Sequence, residues 1–158
     1  MERRLADIGL ADIEFTDVAN AIRNAVNEQG FFHHLSARID EISAGTVVMS
    51  VGRKPELLQQ HGFFHGGVIS FLVDNAATCA AGTVVDRKTQ TCLTAEYKLN
   101  IVSPASGDRL VCTATVVRPG RRLVVVEAKV HSHTADDTKL VAVALATIAN
   151  VDRAELTR

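Results

Sequence analysis

The only carboxylate in the stretch 65–81, His-Gly-Gly-Val-Ile-Ser-Phe-Leu-Val-Asp-Asn-Ala-Ala-Thr-Cys-Ala-Ala, is Asp74. The rest is apolar or small nearly all round, which is the composition of a buried helix. A carboxylate there is costly unless something uses or satisfies it, so Asp74 is a candidate for acid–base or nucleophilic chemistry. Gly66-Gly67 just ahead of the helix gives a closely approachable backbone where unpaired N–H groups point outward. A carboxylate and an oxyanion-binding amide together suit acyl chemistry. The plainer readings are a structural carboxylate satisfied by a neighbour such as Ser70, glycines that only permit close packing, and a His65 that only holds the turn.

Gly67, Ser70, Asp74 and Thr78 follow one another at spacings of three and four, so they share a helix face. That face is small and polar, as a substrate channel requires. Gly66 and Asp74 are eight residues apart, about 12 Å along a helix. One carbonyl cannot contact both in one chain. A second copy packed antiparallel would bring its Gly66 to this Asp74, so the helix predicts a site shared between two chains.

Residues 16–29 read as an amphipathic helix capped by Thr16 or Asp17, with Val18, Ile22, Ala25 and Val26 on one face and Gly30 as the stop. Residues 31–51 read as extended, with a turn at 43–46. Residues 55–64 are a loop or short helix leading into the buried helix at about 65–82. Strand-like runs follow at 91–102, 109–117, 123–132 and 140–151, separated by Ser-Pro-Ala-Ser-Gly (103–107), Arg-Pro-Gly-Arg (118–121) and Thr-Ala-Asp-Asp (134–137). A strand, a buried helix and three antiparallel hairpin connections predict an α+β domain with a curved antiparallel sheet wrapped around one helix. One domain is expected over 1–158, with 1–30 as a helical extension and 31–151 as the core.

The chain has 158 residues, 47% of them hydrophobic, enough for one full core. With 17 basic and 18 acidic residues it is near neutral, which disfavours a general nucleic-acid binder. It has no Trp and one Tyr, so aromatic stacking does not dominate recognition. No apolar run is long and uncharged enough to span a bilayer, and the first residues lack a signal peptide's apolar stretch. Cys79, Cys92 and Cys112 are odd in number and scattered, which points to a reduced, cytoplasmic setting and to small core residues. Of the histidines, His131 and His133 share a strand face, and His33, His34 and His61 could join them, which invites a metal reading. None joins a cysteine or carboxylate at a recognised zinc spacing, so no metal is expected.

The run His65-Gly66-Gly67 with Asp74, then Ser103-Pro104 and Gly107, resembles the hotdog-fold acyl-CoA thioesterases, in particular the PaaI-like branch. The resemblance covers residues 33–150. It implies homodimers, usually paired into tetramers, with a site at each dimer interface and no cofactor beyond the coenzyme A of the substrate. It gives Asp74 the role of general base or nucleophile, and Gly66 that of the amide polarising the thioester carbonyl. Gln59 falls where many members carry Asn, as a second polarising group, and Thr94 where some carry a water-orienting Ser. His65 completes the candidate catalytic set. Gly67, Ser70, Phe63, Phe64 and Phe71, with Leu72, are candidates to line the acyl pocket. Arg118, Arg121 and Arg122, on a hairpin, suit capture of coenzyme A phosphates, with Arg87 and Lys88 as weaker candidates. The competing expectations are a non-catalytic acyl-CoA sensor and a hotdog dehydratase or hydratase drafting His65. The intact Gly-Gly and Asp74 argue against the first, and the spacing argues against the second.

Overall fold

The computed structural model describes residues 2–156, with 2–14 as helix backbone only. The chain runs α1 (Glu2–Asn27), α2 (Gly30–Leu35), β1 (Arg38–Ser43), β2 (Thr46–Gly52), a 3-10 turn (Pro55–Leu57), α3 (Gly66–Gly82), then β3 (Gln90–Ile101), β4 (Arg109–Arg118), β5 (Leu123–His133) and β6 (Thr138–Asp152). A last 3-10 turn spans Arg153–Glu155. Among the described residues no helix is long and apolar enough to cross a membrane.

Two N-terminal expectations change. The first helix begins at Glu2 rather than near residue 16, and Gly30 opens a second helix instead of merely ending the first. Residues 30–35 are helical, not extended, because the buried pair is Phe32 and Leu35, three apart, and not an alternating set. Ser36 ends that helix in a left-handed conformation (φ 51°). Its N–H and that of Ala37 close onto the carbonyls of His33 and Phe32. On α1, Ile22 and Val26 are buried and Val18 packs against the core, whereas Ala25 is exposed.

The sheet is antiparallel and six-stranded, in the order β1-β2-β4-β5-β6-β3. Its inward residues alternate, as in Val124, Val126, Ala128 and Val130 of β5. Several are alanines (Ala114, Ala128, Ala144, Ala146), and small residues let α3 lie close to the sheet. The sheet wraps α3, whose Leu72, Val73, Ala76, Ala77, Ala80 and Ala81 are fully shielded from solvent. Burying a side chain such as Leu72 contributes about 2 kcal/mol.

The expected run of three hairpins is corrected to two. β4–β5 and β5–β6 are hairpins, but β3 pairs with β6 at the far edge of the sheet. The segment 102–108 therefore crosses the ends of β6 and β5 instead of turning back. Val102 N–H bonds the Val141 carbonyl on β6, Gly107 N–H bonds Ser132 Oγ on β5, and Asp108 N–H bonds the His133 carbonyl. The distance is about three strand spacings, roughly 14 Å, which seven residues span easily. Gly107 is needed where the crossing is tightest, since a Cβ there would sit 2.4 Å from the His133 carbonyl oxygen.

β3 also carries a bulge. Its register with β6 shifts between Thr94 and Glu96, so Ala95 is an extra residue. Without the bulge Thr94 and Tyr97 would face opposite sides. With it both turn toward α3.

Candidate active site

The N-terminus of α3 is clamped from two sides. Phe64 N–H bonds the Ala105 carbonyl of the crossing segment, and His65 N–H bonds the Leu57 carbonyl of the 3-10 turn. His65 is the N-cap, in extended conformation, and its Nδ1 accepts the Gly67 N–H at 2.9 Å. An accepting Nδ1 places the proton of the neutral ring on Nε2. His65 is thus a capping residue, and Gly67, expected to bind substrate, has its N–H committed. Among the described residues no acceptor is recorded for the Gly66 N–H. It opens onto a cavity of about 410 Å³ lined by Gln59, Phe63, Phe64, Ile101 and the segment 102–105. Gln59 uses its side-chain oxygen on the His61 N–H, which leaves its amide N–H groups for a ligand.

Asp74 lies two turns down the helix, half-buried. Thr94 Oγ1 donates to its Oδ1 at 2.6 Å, and Thr78 Oγ1 lies 2.8 Å from Thr94 Oγ1. Thr94 has one proton and gives it to the carboxylate, so Thr78 must be the donor in the second bond. The chain Thr78 to Thr94 to Asp74 fixes one carboxylate oxygen, and no partner is recorded for Oδ2 among the described residues. Asp74 lines a cavity of about 510 Å³ with Gln29, Asn75, Thr78, Cys79, Cys92, Leu93 and Thr94. The expected face of α3 is present, but Ser70 does not satisfy Asp74. It bonds the Tyr97 hydroxyl at 2.6 Å. Nor is Thr94 only a water-orienting group, since its proton is spent on the carboxylate and one lone pair remains for a water.

The Gly66 cavity and the Asp74 cavity have no lining residue in common. One chain therefore presents two separate cavities, one with Gly66 and Gln59 at the N-terminal end of α3 and one with Asp74 and its threonines in the middle.

The other candidates divide. Phe63 and Phe64 line the Gly66 cavity. Phe71 and Leu72 line neither. Phe71 packs edge-on against Phe31 with ring centroids 5.1 Å apart, and Leu72 is in the core. Leu72, two residues before Asp74, points away from its face, whereas Phe71 stands at the edge of that face. Arg118, Arg121 and Arg122 are exposed on the β4–β5 hairpin and reach neither cavity within the chain; Arg121 lines a separate groove with Val84, Val85, Asp86, Gln90 and Asn150. Cys112 and Cys79 are buried, and burial pushes both thiols up to about 12, which makes them poor nucleophiles. Cys92, expected in the core, is a cavity wall instead, and burial raises its thiol too. Tyr97 was not legible as a site residue, because a period of two places it opposite Thr94.

This sheet and wrapped helix recur among known proteins. A family model described as the thioesterase superfamily matches residues 61–138. A thioesterase family protein from Silicibacter pomeroyi is 32% identical, with a TM-score of 0.83 over 85% of this chain and 98% of that one. The chain belongs to the thioesterase superfamily. Its fold is accordingly the hotdog fold, with α1 added at the N-terminus. SSO1253 of Saccharolobus solfataricus, whose name places it among esterases, is 26% identical over 106 residues, 67% of this chain and 69% of that protein. The PaaI protein of the E. coli phenylacetic acid degradation operon is 20% identical, with a TM-score of 0.73 over 85% of this chain and 94% of its own, and shares the fold. Membership in the superfamily makes hydrolysis of an ester-like bond the chemistry to test against Gly66 and Asp74.

Proposed function

We propose that the protein hydrolyses acyl-CoA thioesters to the carboxylic acid and coenzyme A, at a site built from two subunits. The observation that carries this is Asp74, a cavity wall with Oδ1 held by Thr94 and no partner for Oδ2 among the described residues, on the same helix as an uncommitted Gly66 N–H. Asp74 takes a proton from water as its oxygen bonds to the thioester carbon. The Gly66 N–H, reinforced by the α3 dipole, and the Gln59 amide stabilise the oxyanion. Collapse breaks the carbon–sulfur bond, and the proton on Asp74 passes to the departing thiolate.

The two half-sites require a partner. β3 is an edge strand of 12 residues with Leu93 and Ile101 exposed, the kind of edge that natural proteins cover. A two-fold axis between Tyr97 and Lys98 pairs β3 with its copy antiparallel and sets the Ile101 end of one chain beside the Thr94 end of the other. Ile101 lines the Gly66 cavity and Thr94 the Asp74 cavity, so Gly66 of the partner subunit would face this Asp74. A dimer of dimers, a cytoplasmic setting and a place in the PaaI-like branch accord with this reading.

The test is release of free thiol from a panel of short, medium, aromatic and dicarboxylic acyl-CoAs. Turnover of at least one, unaffected by dialysis against a chelator, is the expected result. Tight binding across the panel with no turnover would favour a sensor instead. The Arg118, Arg121 and Arg122 guanidinium groups enter no ion pair among the described residues, which leaves them for the coenzyme A phosphates. Replacing all three with Ala should raise KM several-fold, make it less sensitive to salt, and spare kcat, as expected for uniform binding. An unchanged KM would show the hairpin to be a solvated turn.

A further inference from the structure

The Asp74 cavity does not end at Cys79 and Cys92. A second cavity of about 180 Å³ shares Gln29, Thr78, Cys79 and Cys92 with it and continues under α1. Its remaining walls are Ile22, Ala25 and Val26 of α1, with Thr91 and Arg87. Its α1 wall is apolar, and among the described residues Arg87 is its one cation. The guanidinium of Arg87 lies against the last residue of α3, where a Cβ on Gly82 would be 2.9 Å from its Nη1. Gly82 is the residue type that leaves room for it.

Among the described residues that guanidinium has no partner. Its Nε is buried with no acceptor, and Arg87 forms no ion pair among the described residues. The nearby thiols of Cys79 and Cys92 are held protonated by burial and supply no anion. The negative end of the α3 dipole offsets part of the charge, but a dipole end amounts to about half an elementary charge. An unpaired buried donor on a cation is costly, and a carboxylate is its natural complement.

We propose that this second cavity is the far end of the acyl site and that Arg87 selects acyl groups ending in a carboxylate. The inference rests on the thioesterase reading above and names its substrate class. Arg87 at Gly82 stands eight residues beyond Asp74, about 12 Å along α3. Allowing about 3 Å at each end for the reacting carbon and for the ion pair leaves roughly 6 Å, the span of a straight acyl chain of about six carbons. Ile22 and Val26 cover its methylenes, which gives α1 a role as the roof of the acyl channel.

The experiment compares adipyl-CoA with hexanoyl-CoA, matched in length and differing in the terminal carboxylate. Wild-type protein should favour adipyl-CoA in kcat/KM by at least about 10-fold. Arg87→Met should shift that preference ratio by about 100-fold toward hexanoyl-CoA, the scale for removing one partner of a buried charge pair. Arg87→Glu should gain activity on 6-aminohexanoyl-CoA, a gain that misfolding cannot imitate. A wild-type enzyme that favours hexanoyl-CoA, or a preference unmoved in Arg87→Met, overturns the proposal. So does an equal rise in KM for both substrates, which would place Arg87 on the coenzyme A phosphates. Calorimetric binding of the same two ligands to Asp74→Asn protein separates this inference from the catalytic one. Selective binding of adipyl-CoA that depends on Arg87, without turnover in wild type, would sink hydrolysis and leave the carboxylate site standing.

Discussion

Asp74→Asn is expected to lower kcat by about 10²–10⁴-fold, the range for a lost acid–base group. The substitution is nearly isosteric. An Asn carbonyl oxygen can still accept the Thr94 hydroxyl that Oδ1 accepts at 2.6 Å, so the relay from Thr78 survives. What changes is the other terminus. Oδ2, which has no partner among the described residues and can take a proton, becomes an amide that can only donate. Thiol release should therefore fall while the melting temperature stays within a few degrees of wild type. A variant that turns over at the wild-type rate would take Asp74 out of the mechanism and return it to a structural role.

Mixing two inactive variants should restore activity. Gly66→Pro removes the N–H while sparing the helix, because Gly66 is the first residue of α3 and Pro is favoured there. His65 before it is already extended (φ −64°, ψ 141°), as a residue preceding Pro must be. A side chain at Gly66 would meet only the tip of Ile101 at 3.5 Å. Dimers of Gly66→Pro with Asp74→Asn carry one site with both defects and one with neither. Random two-fold assembly makes half the dimers mixed, so co-refolded chains should reach up to about one quarter of wild-type activity. Mixed dimers verified by mass that stay as inactive as their parents would refute the shared site.

How far the sequence carried depends on whether local pattern or distant pairing decides. The apolar run 65–81 with one carboxylate is legible as a buried helix with a polar face, since helical periodicity is local. The eight-residue gap between Gly66 and Asp74 likewise sets them too far apart for one carbonyl in one chain before any fold is known, because helix rise is constant. Strand existence at β3 to β6 followed from turn residues and alternation. The order of those strands did not. Whether 102–108 turns back or crosses to a new edge depends on acceptors on β5 and β6, which no local window contains.

The same division holds within the site. Thr94 was placed by resemblance, but its bond to Asp74 exists because Ala95 bulges, and that bulge also turns Tyr97 inward. A bulge is set by pairing with β6, so a period-two reading of β3 alone assigns Tyr97 to the wrong face. Phe71 and Leu72 looked like pocket residues by type, yet their position around the helix sends one to Phe31 and the other to the core. Arg87 read from sequence as a weaker candidate for the coenzyme A phosphates. The sequence by itself determined the helix, its carboxylate, its N-terminal glycines and the distance between them, all properties of one segment and its geometry. Only the tertiary structure decided which hydroxyl holds Asp74, which strand is left at the edge, and that Arg87 lies beneath α1 with no partner among the described residues. Each of those depends on residues far apart in the chain meeting through the sheet.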